Sequence, residues 1–489
     1  MNELLTKNQG VTEAERYLNQ LAEGSFLSLW SHPGLFNSQG KELSDLLVVC
    51  GNDVIIFSSK DCSYPNSGDE ERDWSRWFKN AVKKSAEQLW GAERFVRNGS
   101  KLFVDMACTK PFQLDFPDPD KANIFLVSVS HQSSKPCKEL FGGSGSLMLN
   151  SDIQGFDAHT APFTIGDLDI KKPFVHVLDD TSVDILMKNL DTVSDFTAYL
   201  MKREALIRSK VDVISAGEEE MLASYLRNVN EQEEHDFEIP KDTNGVAYPE
   251  GIWDEFQKNP QRKAQKEEDR ISYSWDSLIE TFAKHAVDGT EYFKEVESRF
   301  IMNVELILRF MAQESRFERR LLSKGLIGAI ERKASNNKER FLRCIPPYKK
   351  GRPYYVFLLF PWRVDKSEKE NRQARAIFLQ NSMFVVKAIY PDAQHIVGIA
   401  TESDRYFAEG GSEDACYLNV TEWTEQDQRE ALEIQKEFRI FVKPDQVNIH
   451  EMEYPDVKVI HKDITKNPRN KPCLCGSGKK YKKCCGFKL

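Results

Sequence analysis

The chain has 489 residues, of which 40% are apolar, 11% aromatic and 29% charged, a globular composition that excludes a disordered or fibrous protein. No apolar run approaches the roughly 20 residues that span a bilayer, and at roughly 150 residues per domain the length predicts about three folded units. The formal charge is -9, yet residues 462–489 hold nine Lys or Arg against one Asp; a basic tail on an acidic body confines polyanion binding to local surfaces.

The opening MNELLTKNQG lacks a basic stretch followed by an apolar core, so no secretory leader and a cytoplasmic location are expected. Thr12-x-x-Glu15 is a capping-box pattern ahead of Tyr17, Leu18 and Leu21, and predicts an amphipathic first helix ending near 25. The apolar runs 46–50 and 54–57 flank Gly51-Asn52-Asp53 and read as a hairpin. From Asp73 to Phe95, Trp74, Phe78, Val82, Leu89 and Ala92 recur at helical spacing, which predicts a helix packed back on that hairpin. Arg72, Arg76 and Lys79 accompany Trp74 and Trp77; a buried tryptophan pair with its charges in water is expected, against a base-stacking surface as the alternative. Strands are expected at 124–129 and 174–178, and a helix over 183–207. His176 reads as a core histidine, and His131 and His159 have no partner at metal spacing.

Residues 228–272 are charged and poor in periodic apolar positions, marking a boundary or an insertion. Leu278, Phe282, Phe300, Val304, Ile307 and Met311 then predict a helical segment to about 340. The run Arg316-Phe317-Glu318-Arg319-Arg320 reads as its solvated face. Strands at 354–360, 396–400 and 416–420 alternate with helices over 372–387 and from Thr424-x-x-Asp427 toward 438, the pattern of an α/β sheet. The expected class is multidomain α/β, with units over 1–228, 273–345 and 346–460, a charged stretch at 229–272, and a tail at 465–489.

Six of the ten cysteines stand singly, as small buried hydrophobes do in a reducing cell. The other four, Cys473, Cys475, Cys484 and Cys485, form two close pairs across a glycine-containing basic loop. Four thiolates satisfy tetrahedral zinc with no position left open, so the site is expected to be structural, and the metal would supply most of the tail's folding free energy. A disulfide or incidental cysteines are the competing reading. Residues 472–486 are similar to the SEC-C motif, the zinc-binding tail of the SecA preprotein translocase, and follow its CxCGSGKKYKxCC pattern. The resemblance implies Zn²⁺, a bacterial cytoplasm and an adaptor tail that docks a protein partner, chaperone or ribosome. No GxxxxGK[ST] loop, GxSxG elbow, HExxH or GxGxxG accompanies it.

The hairpin carries chemistry of its own. A turn at Asn52-Asp53 sets Asp45 opposite Lys60, and a turn at Gly51-Asn52 sets it opposite Ser58; both bring acid and lysine to one open end. This arrangement resembles the PD-(D/E)xK, or restriction-endonuclease-like, nuclease fold. The resemblance implies that Asp45 is the central metal ligand, Lys60 the catalytic lysine, Glu42 the helix acid and Gln88 the late glutamine. It further implies Mg²⁺ or Mn²⁺, a nucleic-acid substrate and a setting such as bacterial defence. Ser58 stands where the triplet carries its acid, and a serine is a poor Mg²⁺ ligand; Asp61 or Glu42 is left to supply the charge. The expected function is a metal-dependent nucleic-acid phosphodiesterase with a zinc adaptor tail, and the alternative is a non-enzymatic adaptor.

Overall fold

In the computed structural model, which describes residues 10, 12–99, 101–112, 114, 116–288, 304–333, 340–402, 413–442 and 451–456, the chain forms two compact units, 1–262 and 263–489. Both are mixed α/β. Among the described residues no helix is long and apolar enough to cross a membrane.

In the first unit Thr12 closes a complete capping box with Glu15 and starts α1 (Glu13–Phe26), whose Leu18, Ala22 and Phe26 are buried. Then follow β1 (Ser31–Phe36), β2 (Glu42–Cys50), β3 (Asp53–Asp61), α2 (Glu70–Phe78), a π-helical turn at Lys79–Lys83, α3 (Lys84–Arg97) and β4 (Asn123–His131). Next come α4 (Ser134–Phe141), β5 (Met148–Gln154), β6 (Thr164–Asp167), β7 (Val175–Asp179), α5 (Asp180–Asn189) and α6 (Val193–Ile207). The unit closes with β8 (Asp212–Ser215), α7 (Glu218–Arg227), β9 (Gly245–Tyr248), α8 (Ile252–Lys258) and the start of α9 (Pro260–Asp269). The charged stretch after 228 thus holds a strand paired with β8 and two helices. The predicted helix over 183–207 is two, broken at Leu190, where Thr192 caps the second.

The main sheet runs β1-β2-β3-β4-β7; β1, β2 and β3 are antiparallel, and β3, β4 and β7 parallel. The crossover from β3 to β4 contains α2 and α3. Successive strand residues face opposite sides, so Leu47, Val49, Val54 and Ile56 share a core with Trp74, Trp77, Ala81 and Leu89. On the other side Phe57 meets Phe26 of α1 and Phe196 of α6. The tryptophans are therefore core, as expected, and their indole N–H groups donate to the carbonyls of His159 and Cys62. A smaller sheet, β6-β5-β8-β9, completes the unit. The edge strand β1 was not foreseen, because Pro33 and Gly34 break its strand signal; proline is tolerated there because an edge strand leaves one row of N–H groups unpaired.

The hairpin turns at Gly51-Asn52, with Cys50 opposite Asp53 and Leu46 opposite Phe57. Gly51 has φ 65°, a backbone conformation that costs glycine little and suits the first position of a type II′ turn. The register with Asp45 opposite Lys60 is thereby excluded; Asp45 falls level with Ser58.

The second unit takes the rest of α9, then α10 (Tyr273–Asp288), α11 (Val304–Ala312), α12 (Arg316–Lys333), β10 (Phe341–Ile345), β11 (Tyr354–Phe360) and α13 (Glu368–Ile389). It ends on β12 (His395–Glu402), β13 (Asp414–Asn419) and α14 (Glu425–Phe438), which opens on the expected Thr424–Asp427 capping box. Its sheet, β10-β11-β12-β13, has one parallel pair, β11 and β12, joined through α13. The arginine run of α12 is not solvated: Arg319 and Arg320 are fully buried and Arg316 nearly so. Asp276 accepts from Arg316 at 2.9 Å and Arg319 at 2.7 Å, and Asp269 from Arg320 at 3.1 Å. Buried charges persist where they are paired and hydrogen-bonded, and these partners lie 40 to 51 residues upstream.

Back in the first unit, His176 is buried beside Arg203, which also forms a bidentate bond with Glu218. Burial, then Arg203 and Arg208, push its pKa well below 6.5. The neutral ring favours the fold fully above the unfolded pKa, about 6.5, and this is lost at about 1.4 kcal/mol per pH unit as pH falls toward the folded value. Urea melts from pH 7.5 to 5 are expected to show that slope, and His176→Gln to flatten it; equal slopes for both proteins would rule His176 out as its source.

Candidate active site at the mouth of the first ribbon

The open end of the β2–β3 ribbon lies beside the carboxyl ends of the parallel strands β3 and β4, where α/β sheets commonly bind ligands. Opposed residues of an antiparallel pair point to the same face, and alternate residues of one strand share it. Continuing the register puts Asp45, Ser58 and Lys60 on the face covered by α3. Lys60 Nζ lies 3.8 Å from Asp45 Oδ2, with the carboxylate nearly buried and the lysine about a quarter exposed. Asp45 Oδ2 also accepts from the Ser59 backbone N–H. From α3, Gln88 Oε1 accepts the Ser58 hydroxyl at 3.3 Å, and the Ser85 hydroxyl donates to the Ser58 carbonyl at 3.4 Å. Asp45, Lys60 and Gln88 therefore meet around Ser58.

Glu42 does not occupy a helix. It is the exposed first residue of β2, and the acid that the first helix brings near is Glu15 of α1. Sequence reasoning saw Glu15 only as a cap, since its carboxylate accepts from the Thr12 N–H. Burial raises the pKa of Asp45, and Glu15 adds to this, against lowering by Lys60 and by the Ser59 N–H and Ser58 bonds. Glu42 is raised by desolvation, then by Asp45 and Glu15, with Lys60 opposing. Glu15 thus acts on both Asp45 and Glu42, and Asp45 on Glu42, at the mouth of the ribbon.

On the opposite face, Ser59 Oγ and His131 Nε2 share a hydrogen bond of 3.0 Å. His131 has a lowered pKa, chiefly from burial, against Asp180 and Asp61. Asp61, the other candidate for the missing charge, accepts instead from the Gln132 side chain. The serine–histidine contact gives no sequence signal, because it depends on β3 and β4 pairing in parallel, with Asp61 level with His131.

Among the described residues no three His, Cys, Asp or Glu side chains gather closely enough to enclose a metal ion. Mg²⁺, however, is usually bound through one or two carboxylates together with substrate phosphates rather than in an all-protein cage. The hard-oxygen carboxylate of Asp45, with Glu42 near enough for Asp45 to raise its pKa, suits that mode, and Ser58 does not add to it. Cys473, Cys475, Cys484 and Cys485 lie outside the described residues.

A family model for the SEC-C motif matches residues 469–487. This motif is commonly zinc-binding, and the match spans all four of those cysteines. No curated protein and no solved structure matches the chain.

Proposed function

We propose that the first unit is a nuclease-like module that acts on nucleic-acid phosphodiesters, and that the SEC-C tail holds zinc and docks a partner. The observation that carries it is the meeting of Asp45, Lys60 and Gln88 on one face, produced by the order helix, three antiparallel strands, helix, parallel strand. That order suits the restriction-endonuclease-like fold.

In this reading Asp45, with Glu42 or Glu15, would hold a divalent ion, which would polarise the phosphate and lower the pKa of an attacking water. Lys60 stabilises negative charge developing on the phosphate oxygens. The Ser59 N–H fixes the Asp45 carboxylate, and Gln88 fixes Ser58 between acid and lysine. A second reading, a nuclease-like module that binds without cutting, is favoured by Ser58 itself. It stands at the acid position of the triplet, with its hydroxyl committed to Gln88.

Digestion of plasmid, linear DNA and RNA with Mg²⁺ or Mn²⁺, comparing wild type with Asp45→Asn and Lys60→Ala, separates the two. Cleavage lost in both variants supports the active site. Cleavage equal in all three removes the assignment, and no cleavage by wild type leaves the binding module. For the tail, about one zinc per chain is expected by metal analysis, falling on Cys473→Ser. Zinc-free native protein with freely alkylated Cys473 and Cys484 would overturn that part.

A further inference from the structure

Helix α2, the π-helical turn and α3 follow one another without interruption. Their inner side is Trp74, Trp77, Ala81, Ala86 and Leu89 of the core, while Arg72, Arg76, Lys79 and Lys84 are exposed. In an unbroken α-helix the line from Arg72 through Arg76 and Lys79 continues to residue 83. The wider π-helical turn takes up about one extra residue, and Lys84 takes the next place in the line. Lys83 is only partly exposed, and its ammonium lies 4.8 Å from the Phe156 ring centre.

Among the described residues no carboxylate forms an ion pair with Arg72, Arg76, Lys79 or Lys84. Arg72 and Arg76 are four apart, a like-charge spacing that weakens a helix, and Lys84 donates to Asn80 at 2.7 Å. The nearby Asp73 carboxylate is turned inward, accepting from the Ser67 N–H and hydroxyl at 2.6 Å. Glu70 and Glu71 on the first turn of α2 and Glu87, three residues past Lys84, are the exposed acids closest in sequence, and Arg72 and Arg76 add to the lowering of the Asp73 pKa that its bonds to Ser67 begin. Cations placed together on an otherwise acidic body, at a cost to the helix, call for an anionic partner. From Arg72 to Lys84 the rod rises about 18 Å, the axial length of about five phosphates of one duplex strand. The rod's other contacts tie it to the site: Trp77 donates to the Cys62 carbonyl at 3.1 Å, and Ser85 and Gln88 both meet Ser58.

We propose that Arg72, Arg76, Lys79 and Lys84 form a track that holds the sugar-phosphate backbone of a nucleic acid and leads it to Asp45 and Lys60. The inference rests on reading the first unit as a nucleic-acid module, but not on catalysis. It is tested in the full chain carrying Asp45→Asn, by fluorescence anisotropy of a labelled duplex and of its single strand over a series of KCl concentrations. The parent is compared with the same chain bearing Arg72→Gln, Arg76→Gln, Lys79→Gln and Lys84→Gln. A separate control neutralises the tail by Lys479→Gln, Lys480→Gln, Lys482→Gln and Lys483→Gln.

Each lost phosphate contact flattens the log–log salt slope by about 0.9 on a duplex. The track variant is therefore expected to lose roughly 3 to 4 from the slope and on the order of 100-fold in affinity near 0.1 M salt. That loss persists in the tail-neutralised chain. Arg76→Gln alone loses about 1 from the slope, and Arg72→Lys with Arg76→Lys keeps the parent's binding. A slope and affinity equal to the parent's overturn the proposal. So does a parent that binds neither nucleic acid, which would pass the track to an acidic protein. Binding through the track in this chain, together with no cleavage by the wild type, keeps this inference and removes the nuclease reading. Cleavage by the wild type together with affinity independent of the track does the reverse.

Discussion

Lys60→Ala is expected to slow cleavage by about 10²- to 10³-fold, the usual loss when one preorganised donor to developing negative charge is removed. Asp45→Asn is expected to cost at least as much, since it removes the nearly buried carboxylate to which the Ser59 N–H and Lys60 are directed. The two act as a unit, so the double variant should fall little further than the worse single one. Lys60→Ala also carries a signature in pH. Lys60 holds the Asp45 pKa down against burial and Glu15; without it that pKa rises further, and the acid limb of the rate profile moves to higher pH. Melting should change little, because the lysine is partly exposed and its ion pair correspondingly weak. A rate loss accompanied by an equal loss of folded protein, with an unmoved acid limb, would show that Lys60 serves the fold alone.

Asp276→Ala is expected to destabilise the second unit by about 3–5 kcal/mol, the cost of leaving a buried partner charge uncompensated. Burial alone would raise the Asp276 pKa, but Arg316 and Arg319 hold it below the ordinary carboxylate range. Its contribution is accordingly complete above the unfolded value, about 3.9, and lost as pH falls through the folded one. Asp276→Asn keeps the shape and should lose nearly as much. Glu139→Ala, which breaks an exposed ion pair with Lys135 on α4, should stay within about 0.5 kcal/mol of wild type. Denaturant melts of the three variants check the contrast. An Asp276→Ala protein as stable as Glu139→Ala would mean that the buried arginines find other acceptors.

The first unit's ribbon was legible because its signals are local. Branched apolar residues at 46–50 and 54–57 mark strands, and a glycine beside Asn52 marks the turn. What sequence left open was which two residues make that turn, and one residue of slip decides which side chain faces Asp45. Thr12 and Thr424 announced their helices through their own hydrogen bonds, which also stay within four residues. The arginines of α12 were misjudged for the opposite reason. A charge run looks wet until its acids are known, and Asp269 and Asp276 reach it only through the fold. Glu15 was hidden by doing a recognisable local job, and Glu42 was placed on a helix because its strand begins only there. The short strands β6, β8 and β9, each of four residues, are too brief for an alternating pattern to emerge.

Pro33, opposite Leu46 in the outermost strand of the main sheet, has no amide hydrogen to offer a newcomer. A foreign extended segment, or the same strand of another copy, therefore meets a gap in the row of donors that it needs to zip on. Aggregation by sheet extension is discouraged along this border. Farther along the same border Phe36 already exchanges backbone hydrogen bonds with Phe103, so the chain itself occupies part of the edge that a visitor would need.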